Sequence, residues 1–232
     1  MKKFWKEVSV EQVDGGYQVA LDGRGIRTQG KRPQIVQTAA LAELLADEWR
    51  AQGKDIDPAS FPHRDMADYA IDRIATAADD IPAKLIGFME TDTLCYRADP
   101  DEPLYKRQLD MWEPLVTAFE MREDIRVERA SGIIHKPQPP ESLAKLRARI
   151  DALDPFTLAA LFATTSLSAS LIIGLGTLEA DADSETLWDA ANCEEDWQVE
   201  LWGDDFEAAD RRARRKRDFL RAVEFARASA TP

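Results

Sequence analysis

The chain has 232 residues, 44% of them hydrophobic and 31% charged, with a formal net charge of −13. This is the composition of a folded protein long enough to bury a core without a disulfide or a metal, and it excludes an intrinsically disordered chain. The acidic excess argues against a general nucleic-acid or anionic-membrane binder, which needs a basic field, and fits a protein that meets protein partners.

The first forty residues read as β-structure. "KEVSVEQV" and "YQVALDG" alternate in polarity, and the Asp-Gly steps between such runs are hairpin signals. "GIRTQG" and "PQIVQT" are candidate further strands. An antiparallel sheet of this size needs a helix on one face. "TAALAELLADEWRAQG" supplies one, with Thr38 as N-cap and Gly53 as the residue past its end. Trp49 falls four residues after Leu45, which predicts core packing.

Beyond "DIDPASFP" the pattern is mostly helical. Helices are predicted over 64–78, 82–90, 103–121, 141–152, 156–178 (whole or broken), 184–191, 194–202 and 206–228. Two strand-like pieces interrupt them, "TLCYRA" and "IRVERASGIIHKP". The expected fold class is α+β. An N-terminal α+β domain over 1–62, with a strand from 125–136 as a candidate addition to its sheet, precedes a mainly helical domain over 63–232.

The stretch 155–178 carries no charge and is long enough to cross a bilayer. Its seven Ser and Thr residues, two glycines and acidic flanks favour a central helix, or a pair of helices, inside a bundle. No membrane insertion and no leader segment are expected, and the simplest reading is a bacterial cytoplasmic monomer. Cys95 and Cys193 form no CxxC pair and read as reduced thiols.

Catalytic motifs are absent: the sequence holds no GxSxG, HExxH, GxxxxGK[ST] or strand-anchored GxGxxG. The "GLG" at Gly174 lies in an apolar helical run and reads as helix packing. The two histidines, His63 and His135, have no partner at metal-ligand spacing, so no metal and no cofactor are expected.

The informative stretch is "CEEDWQVELWGDDFEAADRRARRKRDF", beginning at Cys193. In a helix over 194–202 ending at Gly203, Glu194, Gln198 and Trp202 share one stripe, Cys193, Trp197 and Leu201 share the next, and Val199 lies apart. Apolar side chains thus sit on more than one face of a short helix. A tryptophan on such a stripe is either an interface anchor or a core residue whose polar tip reaches water. Glu194, Glu195 and Asp196 are also the raw material of a small acid/base hydrolase. The basic run Arg211 to Arg217 reads first as balanced by the neighbouring acids Asp204, Asp205, Glu207 and Asp210, next as a surface for partner recognition, and last as the contact strip of a nucleic-acid adaptor. Ala209, Ala213, Leu220 and Val223 are the expected core-facing line of that last helix.

These residues also resemble a known family. The pattern Glu, then Gln-aliphatic-x-x-Trp-Gly, stands here as Glu194, Gln198, Val199, Trp202 and Gly203. It is similar to the C-terminal signature of the assembly chaperones of the F-type ATP synthase catalytic head that handle its alpha subunit. The fragments "FWKEVSVEQVDGGYQVALDGRGIRT", "LADEWRAQGKDIDP", "AIDRI", "ETDTLCYRA", "WEPL", "HKPQPP" and "SLSASLIIGL" follow in the family's order. The resemblance covers nearly the whole chain; "MADY" and Phe162 depart from it and read as packing variation. It implies an N-terminal α+β domain followed by a helical one, no catalysis, and the free alpha subunit as protein client. Glu194, Gln198 and Trp202 are then expected at the client surface, and Trp49, Val199 and Gly203 in the supporting structure.

Overall fold

The computed structural model describes residues 2–132, 135–203 and 205–230. The chain falls into two compact units: Met1–Asp80 with Asp154–Ala160 and Arg221–Pro232, and Ile81–Leu153 with Leu161–Leu220. This division lies later in the chain than the expected boundary at 62/63, and two distant segments join the first unit.

In the first unit, strands β1 (Val8–Val13) and β2 (Gly16–Leu21) form an antiparallel hairpin in which Val10 faces Val19. The turn at Gly15 and Gly16 has φ of 87° and 145°, which glycine adopts without the Cβ penalty. A second turn at Asp22 and Gly23 leads to β3 (Arg24–Gly25). The Asp22 carboxylate accepts the Lys6 and Glu7 backbone N–H groups, and these bonds hold its pKa below the usual range. β4 (Ile35–Val36) pairs with the start of β2, so β2 is central and buries Val19, Ala20 and Leu21.

Helix α1 (Ala39–Arg50) covers this sheet with Leu41, Ala42, Leu45 and Ala46. Thr38 caps it, its Oγ1 accepting the Leu41 N–H at 3.1 Å. The C-cap is Ala51, so the residue past the helix end is Gln52 and not the expected Gly53; Ala51 closes the last turn in ordinary right-handed geometry. Trp49 lies half-buried between Trp5 and Phe61, with ring centroids 5.1 and 4.7 Å away. Glu48 accepts the backbone N–H groups of His63 and Arg64 and so satisfies the start of α2 (Pro62–Tyr69). The His63 ring is buried, with Nδ1 3.0 Å from Glu48. A π-helical turn (Ala70–Ile74) follows, and its Asp72 accepts Thr28 Oγ1, the Gly30 N–H and Arg32 Nη1.

The second unit is mainly helical: α3 (Ile81–Glu90), α4 (Pro103–Glu123), α5 (Pro140–Asp151), most of α6 (Pro155–Ser168), α7 (Leu171–Gly176), α8 (Ser184–Ala191), α9 (Cys193–Trp202) and the first part of α10 (Phe206–Ser229). Prolines at the first turns of α4 and α5 sit where a missing N–H costs nothing. The uncharged stretch is indeed two helices. Ala169, at φ 51°, ends α6, and Ser170 caps α7 by accepting the Ile173 N–H at 3.1 Å. Among the described residues no helix is long and apolar enough to cross a membrane. Gly174 closes on α6: a methyl group there would overlap Thr165 Oγ1. Trp112 of α4 is fully buried and donates from Nε1 to the Ala190 carbonyl at 2.8 Å.

The segment 125–136 does not join the N-terminal sheet among its described residues; Ile133 and Ile134 lie outside them. Strand β5 (Tyr96–Arg97) instead pairs in parallel with β6 (Ala130–Ser131). The cause is an anchor onto α4. Arg129 donates to Glu113 and Glu120, and Glu120 also accepts the Val127 N–H at 2.6 Å. That clamp fixes where residue 130 emerges, beside β5.

Candidate functional site: the α9 surface

Helix α9 starts with Glu194, Glu195 and Asp196, whose charges suit the positive end of the helix dipole. It ends at Gly203, where φ 87° and ψ 170° turn the chain and the N–H still reaches the Val199 carbonyl at 2.8 Å. Only Cys193 of this helix is buried. The thiol is one of two free cysteines, and burial pushes both thiol pKa values up. Apolar side chains farther along α9 therefore remain uncovered: Leu201 is 55% exposed and Trp202 77%, with Phe206 at 86% opening α10.

Glu194, Gln198 and Trp202 line one cleft of about 410 Å³ together with Trp197. Its opposite wall comes from β5 and the start of α4: Tyr96, Arg97, Ala98, Glu102 and Leu104. Sequence reasoning missed this wall, since nothing local ties residues 96–104 to residue 194; the only signal was the strand-like "TLCYRA". The Glu194 carboxyl takes the Gln108 Nε2 donor at 2.7 Å, while loss of solvent around it raises its pKa above the ordinary carboxylate range. Arg107 grips Glu200 with bonds of 2.6 and 2.7 Å and lies 5.9 Å from the Trp197 ring. Val199 faces away, into a separate groove with Trp188, Ala208, Ala209 and Ala213.

The other acids of the cluster turn toward α10. Asp196 pairs with Arg212, and Glu195 lies 3.5 Å from Arg215. Arg214 pairs with Asp210 one turn away, as the spacing predicts, and Lys216 with Glu185. Asp205 caps the start of α10 through the Glu207 N–H, and Asp204 lies outside the described residues. The expected core line of α10 needs correction. Ala213 is exposed and Leu220 half-buried, while Phe219, Ala222, Val223, Phe225 and Ala226 are buried. Alanines offer too little apolar surface to bring the first half of the helix under cover. His135 is remote from His63 in sequence and bonds Tyr96 Oη through Nδ1 at 2.6 Å. Among the described residues no group of three or more His, Cys, Asp or Glu side chains converges on a metal position.

Residues 2–120 match the family model described as ATP12 chaperone protein. The chain belongs to the ATP12 chaperone family. It is similar to Atp12 from Paracoccus denitrificans, whose crystal structure superposes with a TM-score of 0.93 at 36% identity, over 99% of this chain and 98% of that one. An aspartate-to-lysine mutant of the same Paracoccus protein superposes equally well. Curated relatives are the mitochondrial ATP12 protein of Saccharomyces cerevisiae, 27% identical over 99% of this chain and 83% of its own length, and that of Schizosaccharomyces pombe, 26% identical over 87% and 74%. The α9 stretch falls beyond the part matched by the family model, but the Paracoccus superposition extends over almost the whole chain.

Proposed function

We propose that this family member binds the free alpha subunit of the F-type ATP synthase catalytic head and shields it until the hexamer closes. The observation that carries this reading is the uncovered apolar end of α9: Leu201, Trp202 and Phe206 stand in water in a chain that keeps Trp5, Trp112 and Trp188 buried. An isolated ring subunit exposes surface that its neighbour would bury, and such surface aggregates. A chaperone offering a complementary apolar patch covers it reversibly, and the true neighbour displaces it by binding more favourably. Glu194, Gln198 and Trp202 belong to that surface, with Val199 and Gly203 shaping the helix behind them and Trp49 serving the first unit's packing. The protein acts as a non-catalytic cytoplasmic monomer.

The hydrolase and nucleic-acid readings lose ground on specific contacts. Glu194 bonds Gln108 whereas Glu195 and Asp196 meet arginines of α10, so the three carboxyl groups diverge instead of sharing a proton. Arg212, Arg214, Arg215 and Lys216 are each matched to an acid. The test is co-purification of the tagged full chain with recombinant alpha subunit. A one-to-one complex that excludes the beta subunit is expected; wild-type complex formation by both Trp202→Ala and Glu194→Lys would remove α9 from the client surface.

A further inference from the structure

The charges around the α9 cleft do not balance. Arg97, in its wall, is matched by Glu113 at 2.6 Å, and Arg107, beside Trp197, by the bidentate bond to Glu200. Two acids in the wall have no cation. Glu194 has only the neutral Gln108 donor, and Glu102 has no side-chain partner among the described residues. Both residues are exposed, with solvent partly reduced around the Glu194 carboxyl alone, and among the described residues this chain supplies neither with a counter-charge. Trp202 adds a ring that is largely bare, and ring faces attract cations. A further donor is idle: Arg97 has a side chain only 5% exposed, and its buried Nε finds no acceptor among the described residues.

We propose that this cleft receives an arginine side chain carried on an exposed segment of the client. The guanidinium stacks on Trp202 and takes Glu194 and Glu102 as its carboxylates. Arginine fits better than lysine because its planar fork combines ring stacking with paired bonds to a carboxylate. The first half of α10 shows the same chemistry within the chain, where Arg215 lies over the Trp188 ring at 5.6 Å and reaches Glu195. The inference rests on the client-binding reading of α9 and names the chemistry that the cleft selects.

The experiment follows the indole N–H resonances of Trp197 and Trp202 in the full chain during titration with N-acetyl-arginine methylamide. N-acetyl-citrulline methylamide, nearly isosteric and uncharged, is titrated alongside. The arginine probe is expected to shift the Trp202 signal and bind at least about tenfold tighter than citrulline. Glu194→Gln, which keeps shape and lies outside the core, is expected to erase that preference, and Glu102→Gln to reduce it. Equal binding of the two probes, or no shift with either, overturns the proposal. A parallel titration with purified alpha subunit separates the two ideas. If the subunit binds while arginine is not preferred, the cleft proposal fails and the client reading stands. If arginine is preferred while the subunit does not bind, the client reading fails and the cleft selects an arginine of another protein.

Discussion

Trp112 and Trp202 are the same residue in opposite circumstances. Trp112 is fully buried between helices of the second unit, and its indole N–H is spent on the Ala190 carbonyl. Trp202 ends a helix with 77% of its surface in water. A large aromatic side chain contributes to stability only where its surface leaves water on folding. One tryptophan therefore belongs to the fold's free energy; the other adds little to it, which leaves its surface free for a partner. Trp188 repeats the first case, fully buried with Phe219 at 5.4 Å. Leu201 and Phe206 repeat the second.

Mutation separates the two cases. Trp112→Ala is expected to cost about 3–5 kcal/mol, a cavity plus an orphaned carbonyl, read as a lowered urea midpoint. Trp202→Ala is expected to leave the midpoint within about 0.5 kcal/mol of wild type. Its loss shows instead in alpha-subunit affinity, by about 2 kcal/mol or more if it anchors the interface. A Trp202 variant that melts early and binds normally would reverse the comparison and return Trp202 to the fold.

A smaller effect sharpens the packing side. Gly174→Ala is expected to destabilise by about 1–3 kcal/mol, because the added methyl overlaps Thr165 Oγ1 and presses on Leu161. The Thr165 hydroxyl is buried and has no hydrogen-bond partner among the described residues. Replacing it by alanine in the double variant should recover part of the loss. Additive costs in the double variant would show that the glycine is needed for backbone reasons and not for the close approach.

The fold was largely legible from the sequence, because helices announce themselves locally. Helix α8 follows directly from the sequence pattern, and so does the choice between one helix and a pair over 156–178, but the position of the break at Ala169 does not. Long-range placement did not show. The partner of residues 130–131 depends on the clamp between Arg129 and α4, which no periodicity records. The candidate site divides the same way. The stripe of Glu194, Gln198 and Trp202 was visible in the spacing by four. Its facing wall of Arg97 and Glu102, ninety residues away, was not. The unbalanced charge of the cleft emerges only once the neighbouring cations are seen to be taken.

Two carboxyl groups of the second unit extend the comparison from apolar to ionisable groups. Glu194 is raised by partial loss of solvent at an open cleft; Asp92 is raised to about 6 by complete burial. Asp92 accepts the Leu94 N–H and, at 3.0 Å, the Ile172 N–H at the start of α7, bonds that lower its pKa but do not offset the burial. A folded pKa above the unfolded value of 3.8 means that the native state binds the proton more tightly. The corresponding stabilisation is complete below pH 3.8 and is lost as pH rises through about 6. Asp92→Asn cannot titrate there, and carboxylates common to both proteins cancel in the difference. Urea midpoints at fixed ionic strength should therefore show wild type losing ground to Asp92→Asn between pH 4 and 6, by under about 1.4 kcal/mol per pH unit, and a constant gap above. Parallel curves through that window would mean that Asp92 stays ionised down to its ordinary range. The N–H groups of Leu94 and Ile172 would then be compensating its burial in full.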